Sequence, residues 1–309
     1  MSETVIEFKD VDMSFGDKTV LDHVSFSVEK GETVAIIGPS GTGKSTTLKL
    51  LIGLLEPMGG SVRIKGREVN HFTEKQWNDL RLHMGMVFQY SALFDFLTVE
   101  ENVAFGLKQH THMLTDDIKL RVRDLLSSVG LSGNEKAYPA ELSGGMKKRV
   151  GLARALALDP EIILYDEPTA GLDPEERIRF RNMLSEFAED RIVILSTHIS
   201  SDVETSCENI GVLDNGKMIW NGAAEELIKQ AEGKVYLISA EKKQDKIIRE
   251  KYTVLNIIAS GSGTQYRVLS ETLPEEKHIL QAPTLEDGYM YLLSQTDGGI
   301  NNEIISKRM

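Results

Sequence analysis

Cysteine is nearly absent from the chain: Cys207 is the only one among 309 residues. One thiol cannot form a disulfide within the chain. The sequence therefore excludes a disulfide-stabilised scaffold and favours a protein of a reducing compartment. Cys207 itself is most simply interpreted as a small core or surface residue.

Long apolar runs are also missing. No stretch approaches the roughly 18–20 apolar residues that a membrane-spanning helix needs. The first ten residues, MSETVIEFKD, are acidic and lack the basic-then-apolar order of a secretory signal. We therefore expect a cytoplasmic protein that reaches a membrane only through a partner.

Basic residues are outnumbered, because 35 Lys and Arg stand against 47 Asp and Glu and the net charge is −12. The phosphate backbone of nucleic acids attracts basic surfaces, so this balance disfavours a nucleic-acid partner. A small phosphorylated ligand is not excluded, since a few backbone N–H groups and one lysine can outweigh the global charge locally. With 41% apolar and 27% charged residues, the chain has the composition of a globular protein with a sizeable core.

The order of the apolar patterns predicts an α/β fold. Short strands alternate with helices along most of the chain, which is typical of a domain with a mainly parallel sheet. Two strands are predicted near the N-terminus, at Thr4–Phe8 and Val24–Val28. A third strand, Thr33–Ile37, leads through a glycine-rich loop into a helix over Ser45–Leu55. The middle of the chain is mostly helical, with one long stretch over Val99–Val129.

The character of the sequence changes past about Gly233. A helix over Leu285–Ser294 begins with a capping-box pattern that joins Thr284 to Asp287. Three strands are predicted before it, at Val235–Ala240, Thr253–Ala259 and Gln265–Leu269. We predict a small α+β appendage over residues 233–309, after a main domain over residues 1–232.

A complete phosphate-binding motif lies between a strand and a helix. The segment Gly38–Ser45 fits G-x-x-x-x-G-K-[ST], and its glycines let backbone N–H groups curl around phosphate oxygens. Lys44 would reach the β- and γ-phosphates, and the Ser45 hydroxyl would bind Mg²⁺. The alternative is a glycine-rich turn with a surface lysine. The expected nucleotide-binding residues here are Gly38, Pro39, Ser40, Gly41, Thr42, Gly43, Lys44, Ser45 and Thr46.

Two carboxylates end an apolar strand that begins at Glu161. In a P-loop protein, Asp166 would hold the magnesium shell, and Glu167 would polarise the water that attacks the γ-phosphate. The alternative is a strand that ends in a solvated acidic turn.

A second phosphate-binding device is predicted at Leu142–Met146. Ser143, Gly144 and Gly145 open a helix, and exposed amides at a helix N-terminus form an anion site. One chain cannot easily use both devices on the same nucleotide, so a second copy completing the site is the economical explanation. An ordinary serine N-cap is the alternative.

The P-loop, the LSGG-type signature and the acidic pair, in this order, resemble an ABC-type nucleotide-binding domain over about residues 4–230. The resemblance implies a P-loop NTPase fold with a helical subdomain at about residues 90–158. It also implies an ATPase that uses ATP and Mg²⁺ and dimerises head to tail. The signature ends in Met146, where many members have glutamine. The residues expected to contact phosphate are unaffected, so ATP binding should survive.

The resemblance implies roles for four further residues. Phe15 lies where the family has an aromatic ring that stacks on adenine, more often a tyrosine. Gln89 matches the glutamine that links Mg²⁺ to the permease contact, and Asp173 belongs to the loop that crosses the dimer interface. His198 matches the switch histidine that contacts the γ-phosphate. The expected catalytic residues are then Lys44, Gln89, Glu167 and His198, and the expected metal ligands are Ser45, Gln89 and Asp166.

The type of transporter is left open between two resemblances. Segments Gln89–Asp95, Glu101–Leu107 and Leu142–Arg149 resemble ATPases of bacterial Mla/Mce-type phospholipid transport, the favoured interpretation. Arg191–Glu204 and the appendage instead resemble ABC-2 type exporters. In either case the apolar loop Tyr90–Leu97 is expected to contact the transmembrane permease, unless it is buried under the helical subdomain. A non-transport ABC ATPase, a P-loop kinase and a nucleotide-gated binding module are the rival interpretations.

Overall fold

The computed structural model describes residues 3–198, 202–203, 207–260 and 263–296. A helix that the sequence predicts over Ser201–Glu208 includes residues outside these ranges. The chain forms two compact units, residues 1–221 and 222–309. The helix Ala224–Lys229 belongs to the second unit, although it precedes the change in sequence character at Gly233.

The strands of the larger unit are β1 (Thr4–Phe15), β2 (Lys18–Glu29), β3 (Thr33–Ile37), β4 (Gly59–Ile64), β5 (Arg67–Glu68), β6 (Met84–Val87), β7 (Ile162–Asp166), β8 (Ile192–Thr197), β9 (Asn209–Asp214) and β10 (Lys217–Ala223). Its helices are α1 (Lys44–Leu51), α2 (Glu74–Arg81), α3 (Val99–His110), α4 (Thr115–Ser128), α5 (Gly144–Ala155) and α6 (Pro174–Phe187). A single 3₁₀ turn, Pro139–Glu141, precedes α5.

The main sheet has the order β10-β9-β3-β8-β7-β6, and the pairs from β9 to β6 are parallel. Every residue of β7 and β8 is buried. Burial on both faces is typical of parallel strands covered by helices, which explains why these segments are almost continuously apolar. The α/β prediction is confirmed. The parallel arrangement also places the carboxyl ends of β3, β7 and β8 side by side.

A second sheet, β2-β1-β4-β5, is antiparallel and packs over α1 and one face of the main sheet. Phe8 and Phe26 stack in this core with ring centroids 4.6 Å apart. Strands β1 and β2 are longer than the segments predicted from the sequence. The β1–β2 register shifts between Phe8 and Val11 and again between Val11 and Met13. Such bulges break the simple alternation of apolar and polar residues on which the prediction relied.

Two helical segments differ from the sequence prediction, one by an internal break and the other by an early end. The stretch Val99–Val129 is two helices, because the Thr111 hydroxyl donates a hydrogen bond to the Leu107 carbonyl at 2.7 Å and accepts the Met113 N–H, which ends α3. Helix α1 stops at Leu51 rather than at Leu55. The chain turns there at Gly53 (φ +66°), where a Cβ would lie 2.3 Å from the Trp77 ring.

The smaller unit is α+β, as predicted. Its elements are α7 (Ala224–Lys229), β11 (Val235–Ala240), α8 (Asp245–Lys251), β12 (Thr253–Ser260), β13 (Gly263–Leu269), β14 (His278–Leu280) and α9 (Leu285–Thr296). The strands form an antiparallel sheet in the order β12-β13-β11-β14. Helix α9 approaches α7 so closely that a Cβ on Gly288 would lie 2.4 Å from the Leu227 carbonyl oxygen.

A buried carboxylate links helix α9 to this sheet. Asp287 accepts hydrogen bonds from the N–H and hydroxyl of Thr284, which confirms the predicted capping box. It also accepts two hydrogen bonds from Arg267 on β13, at 3.0 and 2.5 Å. Burial tends to raise the pKa of Asp287, but the hydrogen bonds from Arg267 and Thr284 leave it below its usual value.

No helix within the described ranges combines the length and the apolar character that crossing a bilayer requires.

We predict that Asp287→Ala destabilises the smaller unit by about 3–5 kcal/mol, because Arg267 loses its partner in a largely buried ion pair. Chemical denaturation of the full chain, followed by circular dichroism, measures this change. Glu286→Ala is the matched control, since Glu286 is the exposed neighbour in the same helical turn. Equal effects of the two substitutions would contradict the role given to the buried pair.

Candidate nucleotide-binding and catalytic site

The predicted phosphate-binding loop connects β3 to α1. Three of its glycines have positive φ, +157° at Gly38, +84° at Gly41 and +108° at Gly43. Gly38 and Gly43 are also crowded, because a Cβ there would lie 2.1 Å from the Leu213 carbonyl oxygen and 2.6 Å from Leu21, respectively. The conformation of the loop therefore requires glycine at these positions. The loop places backbone N–H groups at the N-terminus of α1, where the helix dipole favours anions.

Lys44 is buried beneath this loop. Its ammonium donates hydrogen bonds to the carbonyls of Gly38 (2.8 Å) and Pro39 (3.0 Å) and lies 3.4 Å from Oε1 of Glu167. Burial lowers the pKa of Lys44 from its ordinary value, while the charge of Glu167 acts in the opposite direction. The phosphate-binding lysine and the expected catalytic carboxylate are therefore in direct contact.

Asp166 joins the P-loop to the sheet. Its Oδ1 accepts hydrogen bonds from the hydroxyls of Ser45 (2.7 Å) and Ser196 (2.8 Å). Ser196 was not predicted as a site residue. Its signal in the sequence is a pair of hydroxyl residues, Ser196 and Thr197, that ends the apolar strand β8 one strand away from Asp166.

Glu167 lies in a sharp turn directly after β7. Its φ of +45° is in the left-handed region, which is unfavourable for a residue other than glycine. Its N–H donates to the Ser196 carbonyl at 3.0 Å, and its Oε2 lies 2.6 Å from Nδ1 of His198. The His198 side chain is 46% exposed, whereas that of Glu167 is 9% exposed. Backbone strain of this kind occurs most often at functional sites.

Lys44, Ser45 and Glu167 border a cavity of about 390 Å³, whereas Asp166 and His198 are not among its lining residues. Its lining residues are Phe15, Val20, Ser40, Gly41, Gly43, Lys44, Ser45, Thr46, Gln89 and Glu167. The half-exposed Phe15 ring borders the same cavity as the P-loop, as a ring that stacks on a base would. Val20 was missed, because nothing in its local sequence separates it from other strand residues.

The structure does not bring every predicted site residue to this cavity. Ser143 caps α5 by accepting the Met146 N–H at 3.2 Å, and Asp173 caps α6 by accepting the Glu176 N–H at 2.9 Å. Both caps are exposed, and neither residue is among those lining the cavity. Nothing lies within 4 Å of the position that a Cβ on Gly144 would occupy. Only the interpretation of Ser143 as an ordinary N-cap is visible within one chain.

The residues around Asp166 fit a magnesium ion. The Ser45 hydroxyl and the Asp166 carboxylate are in contact, and Gln89 borders the same cavity as Ser45. Mg²⁺ prefers such oxygen ligands and commonly takes one or two from the protein, with the remainder from phosphates and water.

The apolar loop Tyr90–Leu97 is anchored by a buried side chain and exposes two of its aromatic rings. Asn102, which is fully buried, accepts the Phe94 N–H and donates to the carbonyls of Phe94 and Leu97. Tyr90 is 86% exposed and Phe96 77% exposed. The prediction of an exposed loop therefore holds for Tyr90 and Phe96, whereas Leu93, Phe94 and Leu97 are half-buried.

Comparison with known proteins agrees with this geometry. A family model described as ABC transporter matches residues 21–170. The protein Trigalactosyldiacylglycerol 3, chloroplastic, of Arabidopsis thaliana is 43% identical over 244 residues, which cover 73% of this chain and 70% of that protein. The intermembrane phospholipid transport system ATP-binding protein MlaF of Haemophilus influenzae is 36% identical over 238 residues, covering 76% of this chain and 90% of MlaF.

Two further similarities extend the comparison. The methionine import ATP-binding protein MetN of Caulobacter vibrioides is 35% identical over 288 residues, covering 86% of each chain. This chain spans only 64 to 66% of the length of several mycobacterial relatives. Among solved structures, the dimeric ATP-binding cassette MJ0796 bound to ADP and Pi has a TM-score of 0.66 and 31% identity, over 71% of this chain and 98% of that one.

The chain belongs to the ABC transporter family, as one of its ATP-binding subunits. It is an ATPase of the P-loop NTPase fold, and ATP and Mg²⁺ are its substrate and cofactor.

We predict that Lys44→Ala lowers the affinity for ATP by about 10- to 100-fold, because the phosphates lose a charged hydrogen-bond donor. Equilibrium binding of a fluorescent ATP analogue measures the loss. Lys49→Ala, at an exposed position on the same helix, is the control and should bind as the wild type does. Unchanged affinity in Lys44→Ala would remove this lysine from the nucleotide site.

Proposed function

We propose that the chain powers the movement of a phospholipid or another hydrophobic substrate through a separate membrane permease, as an ATP-dependent head-to-tail dimer of two copies. The observation that carries the dimer is the separation of two phosphate-binding devices. Ser143, Gly144 and Gly145 do not line the P-loop cavity of their own chain, and Ser143 and Gly144 are exposed outside it. A second copy supplies them in this proposal, and the related cassette MJ0796 is described as dimeric.

Hydrolysis is assigned to the turn after β7. Glu167 orients and polarises the attacking water, and its short contact with His198 fixes the direction of the carboxylate. Lys44 and the P-loop N–H groups stabilise the negative charge on the phosphates, and His198 contacts the γ-phosphate. Ser45, Asp166 and Gln89 hold Mg²⁺, which neutralises charge on the phosphate oxygens. Phe15 stacks on the adenine.

Contact with the permease is assigned to the loop Tyr90–Leu97. Its exposed rings, Tyr90 and Phe96, are the kind of apolar surface that marks a protein interface. The loop begins directly after Gln89, which borders the nucleotide cavity. Closure around ATP therefore moves the permease contact. In this proposal the protein lies in the cytoplasm, and its contact with the permease holds it at the inner face of the cell membrane.

The lipid substrate rests on similarity. MlaF, which is named as part of a phospholipid transport system, matches over 90% of its length. MetN, which is named for methionine import, matches over more of this chain. The alternatives are therefore import of a small molecule, from the similarity to MetN, and export, from the resemblance to ABC-2 exporters.

Substituting Glu167 with glutamine tests the catalytic assignment. We expect steady-state ATP hydrolysis to fall by about 100-fold or more, because the amide cannot accept the proton of the attacking water. ATP binding should persist and trap a dimer that size-exclusion chromatography detects.

Glu161→Gln, at the opposite end of β7, is the control with the same change of chemistry. A full hydrolysis rate in Glu167→Gln would contradict the assignment of the base.

Co-purification tests the substrate class. We expect tagged Glu167→Gln protein, extracted with ATP in mild detergent, to bring down a permease together with an Mce-type lipid-binding protein, identified by mass spectrometry. Tyr90→Ser with Phe96→Ser should release both, because the docking surface loses its apolar rings. Recovery of an exporter permease alone would exclude the phospholipid assignment.

A further inference from the structure

Lys148 is a buried cation on the signature helix, and none of the roles above uses it. It lies in the second turn of α5, the helix that Ser143 caps, and is 6% exposed. Its ammonium donates hydrogen bonds to two consecutive carbonyls of the catalytic turn, that of Glu167 at 3.0 Å and that of Pro168 at 2.7 Å. Lys148 is not among the residues that line the nucleotide cavity.

The backbone that Lys148 holds is strained. Glu167 has a φ of +45°, a conformation that persists only where the surroundings enforce it. On the amino side, the N–H of Glu167 is bonded to Ser196 of the neighbouring strand. On the carboxyl side, Pro168 has no N–H to donate. The Glu167 carbonyl also accepts the Ala170 N–H at 3.2 Å. Ser196 therefore fixes the turn on its amino side, and Lys148 and Ala170 fix it on its carboxyl side.

The direction of the Glu167 carboxylate follows from this turn. The carboxylate reaches Lys44 at 3.4 Å and His198 at 2.6 Å, so a rotation of the backbone at Glu167 would break both contacts. A carboxylate that orients water must be placed to within a fraction of an ångström, and about 1 Å of misplacement can cost 100-fold in rate.

We infer that Lys148 is a positioning residue for ATP hydrolysis, which clamps the Glu167–Pro168 carbonyls and so aims the Glu167 carboxylate at the attacking water. The inference rests on the proposed catalytic role of Glu167. Because Lys148 belongs to α5, the catalytic turn of each nucleotide site is held by the helix whose N-terminus serves the partner's nucleotide.

Lys148→Met tests the inference, because methionine keeps most of the apolar stem and removes the donor. We expect kcat for ATP hydrolysis to fall about 10- to 100-fold, with KM and the dissociation constant for ATP within about threefold of the wild type. Lys148→Arg, which can donate to both carbonyls, should recover most of kcat. Arg191→Met is the matched control, since Arg191 bonds the carbonyls of Pro160 and Phe187 at the opposite end of the sheet.

A double-mutant cycle separates positioning from general stability. If Lys148 acts through Glu167, adding Lys148→Met to Glu167→Gln should change the residual rate by less than about threefold. Wild-type kcat in Lys148→Met would overturn the inference, and so would a joint loss of ATP binding and kcat or a failure of arginine to recover the rate. If Lys148→Met does not fold, the same measurements on Lys148→Leu, which also has no donor, decide.

The roles of Glu167 as base and of Lys148 as clamp can be tested separately. A full rate in Glu167→Gln would remove the base itself, and with it the reason for a clamp. An inactive Glu167→Gln beside a fully active Lys148→Met would remove only the clamp and leave the proposed catalytic assignment in place.

Discussion

The parallel register of β3, β8 and β7 is the constraint on which the rest of the site depends. Ile37 pairs with Thr197, and Ser196 pairs with Asp166, so the three strands end at the same level. The P-loop, the acidic pair and His198 lie at the ends of these strands. Because parallel strands present their carboxyl ends at one edge, groups more than a hundred residues apart meet there within hydrogen-bond distance. The Ser45–Asp166 contact of 2.7 Å is the most direct expression of this register.

Positively charged side chains of the same chain lie close to the acidic pair, Asp166 and Glu167. Two buried lysines approach Glu167, Lys44 at its carboxylate and Lys148 at its carbonyl. Burial lowers the pKa of both, and that of Lys148 falls to about 8. Such desolvation makes each ammonium a stronger hydrogen-bond donor to its fixed partners, since few waters compete for it. Buried charge of this kind adds little to stability. It does hold a strained catalytic turn in one geometry.

Helix α5 contributes to two different sites in the proposed dimer. Its exposed N-terminus, at Ser143 and Gly144, is suited to an anion outside the chain, whereas Lys148 faces the catalytic turn within it. A helix that serves two sites at once is a simple physical basis for coupling them, because a rigid helix moves as one body. The apolar loop after Gln89 offers a comparable link outward, held by the buried amide of Asn102.

The sequence by itself determined the class of the protein and predicted nine of the ten residues that line the P-loop cavity. The P-loop, the signature and the acidic pair are local patterns in which glycine conformation, helix capping and strand ends follow from neighbouring residues, and these predictions needed no tertiary contact. Tertiary structure decided what local patterns cannot encode. Bulges hid the full length of β1, and Lys148 and Ser196 gained their roles from residues 19 and 30 positions away along the chain. A lysine in a basic helical turn looks the same in sequence whether it faces water or a buried carbonyl, because only packing between elements sets its partner.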